Sequence, residues 1–74
     1  MPRKIAMQAV SELLLVSMEE MLIFNYISDQ RSWQLTLTDG STHLLKKGLT
    51  ADDLLNVHPV FARISNTTII NLTY

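Results

Sequence analysis

Cysteine is absent from the chain, which excludes disulfides and every metal site built on thiolates. Glycine and proline are scarce, two of each, and no glycine-rich loop is there to cradle a phosphate group. Long apolar runs are missing as well. Leu13-Leu14-Leu15-Val16 stops at Ser17, and Met21-Leu22-Ile23-Phe24 is no longer. A membrane-spanning helix needs about 20 such residues. The start, Arg3-Lys4-Ile5-Ala6-Met7-Gln8, is too broken for a secretion signal. The expectation is a soluble, cytoplasmic protein with no membrane partner. Nor is there an excess of positive charge. Six Lys and Arg against seven Asp and Glu give a net charge of −1. Nucleic-acid binding rests on cations that neutralise phosphates, so here it would need a local basic face.

What is present is enough for a core. Apolar residues make up 47% of the 74 residues, which argues against disorder. One domain, residues 1–74, is expected. A chain this short buries only about 60% of its unfolded surface. Self-association, or docking on a segment outside this sequence, would make up the deficit.

The local patterns are mostly those of strands. Ile5 to Val10 reads as a first strand or a helical turn. Glu12 to Val16 reads as a short buried strand. Ser17-Met18-Glu19-Glu20 has a hydroxyl followed three residues on by Glu, a helix-start pattern, and supports one turn before Leu22-Ile23-Phe24 continues as a strand. Trp33 to Thr38 alternates apolar and polar, the period of a half-buried strand. Asp39-Gly40 is a hairpin signal, with both residues tolerant of positive φ. Ser41 to Lys47 would be the returning strand, with Lys46 and Lys47 pointing to opposite faces. Thr50 caps a short helix whose first turn holds Asp52 and Asp53. His58-Pro59 ends that helix. Phe61 to Ile64 and Thr68 to Leu72 close the chain as strands. The fold class is therefore mainly β: small antiparallel sheets with one short helix.

Enzymatic parts are not visible. There is no Ser-His-Asp order and no carboxylate pair in a credible cleft. His43 and His58 lack any ligand spacing, so no metal and no cofactor is expected. Trp33 and Tyr26 are read as core or sheet-face residues. Arg63 is read as a core-flanking residue paired with Glu19, Glu20 or Asp52, and Asn71 as a strand-end bond to backbone. Arg31 lies in the polar loop Tyr26 to Ser32, where its planar fork suits guanine edges or phosphates. Asn66 and Thr67 lie in the polar corner Ser65 to Thr68. They can bond bases or phosphates, or their own backbone.

The segment Phe61-Ala62-Arg63-Ile64-Ser65 followed by Ile69-Ile70-Asn71 resembles a stretch of the LytTR-type DNA-binding domain of bacterial response regulators, written roughly F-x-R-I-H-R-S-Y and ending in I-V-N. Met18 to Asn25 is similar to the family's V-E-D-I-L-Y-I-E. Thr36 to Gly40 is similar to its strand and D-G hairpin. Lys47-Gly48-Leu49 with Leu54-Leu55 is similar to its K-T-L…L-E helix start. Ser65 and Asn66 replace the family's His and Arg, which removes a cation. The resemblance implies the output domain of a two-component transcriptional regulator, reading double-stranded DNA as a dimer. By register it implies DNA contacts from Arg31 and Asn66; Thr67 beside Asn66, and Lys46 or Lys47 on phosphates, are added from their residue types. A third DNA-reading loop of the family falls beyond Tyr74, so the domain is expected to be truncated, with an open strand edge for a homo-oligomer. The alternative is a non-catalytic protein-interaction domain that kept the fold and lost DNA binding. It would offer an edge at Tyr74 and an apolar face around Trp33.

Overall fold

The computed structural model describes residues 4–10 and 12–74. Seven strands and one short helix follow in order: β1 (Lys4–Gln8), β2 (Leu13–Ser17), β3 (Met21–Ile27), β4 (Ser32–Leu37), β5 (Thr42–Leu44), α1 (Ala51–Leu55), β6 (Phe61–Ser65) and β7 (Thr68–Asn71). A 3-10 turn, Met18–Glu20, links β2 to β3. The Ile5 to Val10 ambiguity resolves as a strand, because pairing with β2 from Ile5↔Val16 to Gln8↔Leu13 outweighs the helix preference of Ala6, Met7 and Gln8.

β1 and β2 form a two-stranded ribbon. The other strands form a five-stranded antiparallel sheet in the order β5-β4-β3-β7-β6. Strand alternation then decides the core. Leu35, Phe24 and Ile69 lie side by side on β4, β3 and β7, and all three are fully buried. The ring of Phe24 meets that of Phe61 edge-on, with centroids 5.3 Å apart. Met7 and Val16 from the ribbon, Leu45, and Ala51 and Leu54 from α1 join the same core. The opposite face of the sheet carries Ile23, Asn25, Gln34, Thr36, Thr68 and Ile70, all half-buried.

The helix is short but well started. Thr50 Oγ1 accepts from the Asp53 N–H, and Asp53 Oδ2 accepts from the Thr50 N–H, a reciprocal capping box. The helix ends at Leu55 with Asn56 as its C-cap, before His58-Pro59 is reached.

The Asp39-Gly40 hairpin differs from expectation in its turn. Only Gly40 has positive φ, +89°, while Asp39 stays on the ordinary side. The Gly40 N–H bonds to Leu37 O and the Leu37 N–H to Ser41 O. That is a type I turn closed by a glycine bulge, the three-residue solution rather than the two-residue one. Asp39 fixes it by accepting from the Ser41 N–H at 2.8 Å and from the Ser41 hydroxyl at 2.6 Å. Those bonds stabilise the carboxylate and lower the Asp39 pKa.

Candidate nucleic-acid interface

Three connections meet at one end of the five-stranded sheet. β3 ends at Ile27, and the turn Ser28 to Arg31 returns the chain to β4 at Ser32. β7 begins at Thr68, opposite Asn25, and the Tyr26 N–H bonds to Thr67 O at 2.8 Å. The Asn66-Thr67 turn thus stands beside the end of β3. The Leu45 N–H bonds to Trp33 O at 2.8 Å, which sets Leu45, and the lysines after it, beside the start of β4. Neighbouring strands lie about 4.8 Å apart. With two strand steps between them, the β3–β4 and β6–β7 tips are therefore about 10 Å apart.

Arg31 is the only described non-glycine residue with positive φ, at 52°. The Gln30 N–H bonds to Ile27 O and the Arg31 N–H to Ser28 O, winding the turn tightly. The last residue must then be left-handed for the chain to rejoin β4. That conformation costs an L-residue about 1–2 kcal/mol. Arg31→Gly is therefore expected to stabilise the fold by about 1 kcal/mol. A rise in the urea midpoint with an unchanged slope would show it, and a fall would contradict it. A side chain held where glycine fits better points to a use for that side chain.

Lys46 and Lys47 are not on a strand. The pairing of β5 with β4 runs on through the Leu45 N–H to Trp33 O and then gives way, as the backbone beyond it turns to the ribbon. Leu45 makes a single bridge to Ala9, and the Lys46 N–H bonds to Gln8 O at 2.9 Å. Lys47 and Gly48 then form a turn, with Gly48 at φ +95°. The expected opposite-face arrangement of the two lysines is therefore replaced by two exposed side chains on the exit from β5.

The Asn66-Thr67 corner is largely satisfied by itself. The Thr67 N–H bonds to Ser65 Oγ at 3.2 Å, and the two hydroxyls of Ser65 and Thr67 lie 3.4 Å apart. Arg63 is not paired with Glu19, Glu20 or Asp52. It is exposed, and donates from Nε to Ser65 O and from Nη2 to Asn66 O, both at 3.1 Å. A register shift between Arg63 and Ser65 swings the guanidinium toward the turn instead of the core. Arg63 thus belongs to this end of the sheet, a placement that strand alternation alone did not reveal.

Four of the six Lys and Arg residues, namely Arg31, Lys46, Lys47 and Arg63, gather at this end. Among the described residues the charged contacts are Lys4–Glu20 at 3.3 Å and His43 Nδ1 to Glu12 at 4.0 Å, the second an ion pair only when the imidazole is protonated. Neither involves those four. Asp29 shares the turn of Arg31, and the Asp53 carboxylate is occupied by the Thr50 N–H. The far end is acidic. The Thr38 N–H bonds to Glu20 O, bringing Glu19 and Glu20 beside the turn that holds Asp39. The Ser17 hydroxyl and then Lys4 keep the Glu20 carboxyl below its ordinary pKa. The small net charge therefore conceals a separation of charge along the strands.

Other expected features are corrected. Trp33 is buried, 4% exposed, with Tyr26 edge-on to its ring at 5.4 Å. It offers no apolar face to a partner. Tyr74 does not border an open strand. β7 ends at Asn71 and lies between β3 and β6, and the Tyr74 hydroxyl donates to Glu19 O. Asn71 matches its expected role, donating to Met18 O and Met21 O. His58 Nδ1 accepts from the Val60 N–H at 3.1 Å, which fixes its own turn. No helix among the described residues is long and apolar enough to cross a membrane.

No family model, no curated protein and no solved structure matches this chain.

Proposed function

We propose that this chain binds double-stranded DNA through the loop end of its five-stranded sheet, as the cytoplasmic output domain of a bacterial transcriptional regulator of the LytTR type. The observation that carries the reading is the convergence of Arg31, Lys46, Lys47 and the Asn66-Thr67 turn on that end, with Glu19, Glu20 and Asp39 at the other. The ordered resemblance to the LytTR stretches supports it independently.

The division of labour follows from chemistry. Lys46 and Lys47 are exposed and have no ion-pair partner among the described residues, point charges suited to phosphates. Arg31 closes a tight turn at this end of the sheet, where its fork can bond a guanine edge in two places. Asn66 and Thr67 meet the next phosphate or an adenine edge. Two tips about 10 Å apart both fit a major groove about 12 Å wide. Arg63 braces the second tip by holding its carbonyls, a positioning role.

Removal of each kind of contact has its own signature. Lys47→Ala is expected to weaken binding to all sequences and to flatten the salt dependence by about one unit of slope. Arg31→Ala is expected to relax sequence preference as well, costing about 1–3 kcal/mol at its base. Titrations of both variants on one duplex set across a salt series check this. Curves identical to the parent for both would remove these residues from the interface.

A further inference from the structure

We infer that two copies of this chain pair through the outer edge of β2, antiparallel about a two-fold axis, to make a continuous four-stranded sheet β1-β2-β2-β1. β2 is bonded to β1 on one side, and among the described residues its other side has no backbone partner. A strand edge of this kind is a template for another strand unless something blunts it. The usual devices are missing here. Leu13-Leu14-Leu15-Val16-Ser17 has no charge, no proline and no register shift. The edges of the larger sheet are better protected. β5 has only three residues, and β6 carries Arg63 and a register shift.

The side chains also favour a second copy as the occupant. Alternation turns Ile5, Met7, Leu14 and Val16 toward the core and leaves Ala6, Leu13 and Leu15 outside. Leu13 is 59% exposed, and Leu15 and Val10 are each 63% exposed. Together they leave on the order of 300 Å² of apolar surface in water, the size of the largest patch on a typical monomer. In an antiparallel pair centred on Leu14, each exposed Leu13 lies directly across from Leu15 of the second copy. Directly opposite residues have Cβ atoms about 5 Å apart, so both exposed leucines gain an apolar neighbour. Paired backbone and flanking leucines would bury on the order of 1,000 Å² over both copies, the threshold of a specific interface. The expected dimer is therefore weak, with a Kd in roughly the micromolar range. The outer side of β1 is met at its Gln8 end by the Lys46 N–H and carries Lys4 at the other, so the uncharged β2 edge is the one that pairs and the assembly closes at two.

Sedimentation of the whole chain from about 5 µM to about 1 mM tests this, a range that brackets a weak Kd. The expected mass rises from 8.4 kDa toward twice that value. Leu15→Lys should hold it at the monomer, and circular dichroism should show the fold intact because the site is exposed. The double variant Leu13→Glu/Leu15→Lys sets an ammonium against a carboxylate at both crossings and should restore the dimer at low salt. A monomer throughout the range, a dimer indifferent to Leu15→Lys, or masses beyond two chains would overturn the inference. Failure of the double variant to recover would overturn the register.

Discussion

Asn71→Leu is expected to cost about 3 kcal/mol or more, near half the stability of a domain this size. Asn71 is 1% exposed at the end of β7. Its Nδ2 donates to Met18 O at 3.1 Å and to Met21 O at 2.8 Å, and its Oδ1 accepts from the Thr73 N–H at 2.8 Å. One side chain thus satisfies two carbonyls of the corner joining the ribbon to the sheet, and one donor of the following turn. Leucine has a similar volume but leaves all three without that partner. Each unsatisfied buried group costs about 1–3 kcal/mol. Asn71→Asp should be worse near neutral pH, because a carboxylate would point its lone pairs at two carbonyl oxygens. Its deficit should shrink as the pH falls and the acid regains a proton to donate. Urea unfolding of the three proteins at pH 4 and pH 7 measures both effects. A loss below about 0.5 kcal/mol for Asn71→Leu would mean that water replaces the amide at no cost.

Phe24→Ala is the second large effect, expected at about 3–5 kcal/mol. Phe24 is fully buried on the middle strand, opposite Leu35 on one side and Ile69 on the other. Its loss opens a cavity between two β-strand neighbours whose backbones are tied into the sheet and can relax little. In a domain of 60–100 residues each kcal/mol shifts Tm by about 4–8 °C, so the variant should lose tens of degrees or fail to fold. Phe24→Leu keeps most of the volume and should cost far less. Thermal melts followed by far-UV dichroism distinguish them. Similar Tm values for the alanine variant and the parent would place the core elsewhere.

The elements whose chemistry is local could be read from sequence. Thr50 announces a helix cap with Asp52 and Asp53 in the first turn, and the cap forms, with Asp53 adding a reciprocal bond that the sequence did not announce. Trp33 to Thr38 alternates, and the strand is there with Trp33, Leu35 and Leu37 inward. Asn71 signals a backbone bond because a polar amide at a buried strand end has few other uses. What escaped the sequence depends on partners distant in the chain. The lysines look like strand residues until Gln8 of β1, not β4, takes the Lys46 N–H and the chain turns at Lys47-Gly48. Arg63 looks like a core flank until a register shift turns it to the Ser65 and Asn66 carbonyls. The gathering of Arg31, Lys46, Lys47 and Arg63 at one end is a product of strand order, which no local pattern encodes.

Fluorescence anisotropy of the whole chain on a labelled random-sequence duplex, from low to physiological salt, tests the basic end most directly. Three to four cations meeting phosphates should give a log–log slope of affinity against salt of about −3. Binding tight at low salt and falling along that slope is the expected result. No binding at low salt, or binding indifferent to salt, would contradict a phosphate-contacting face at this end of the sheet.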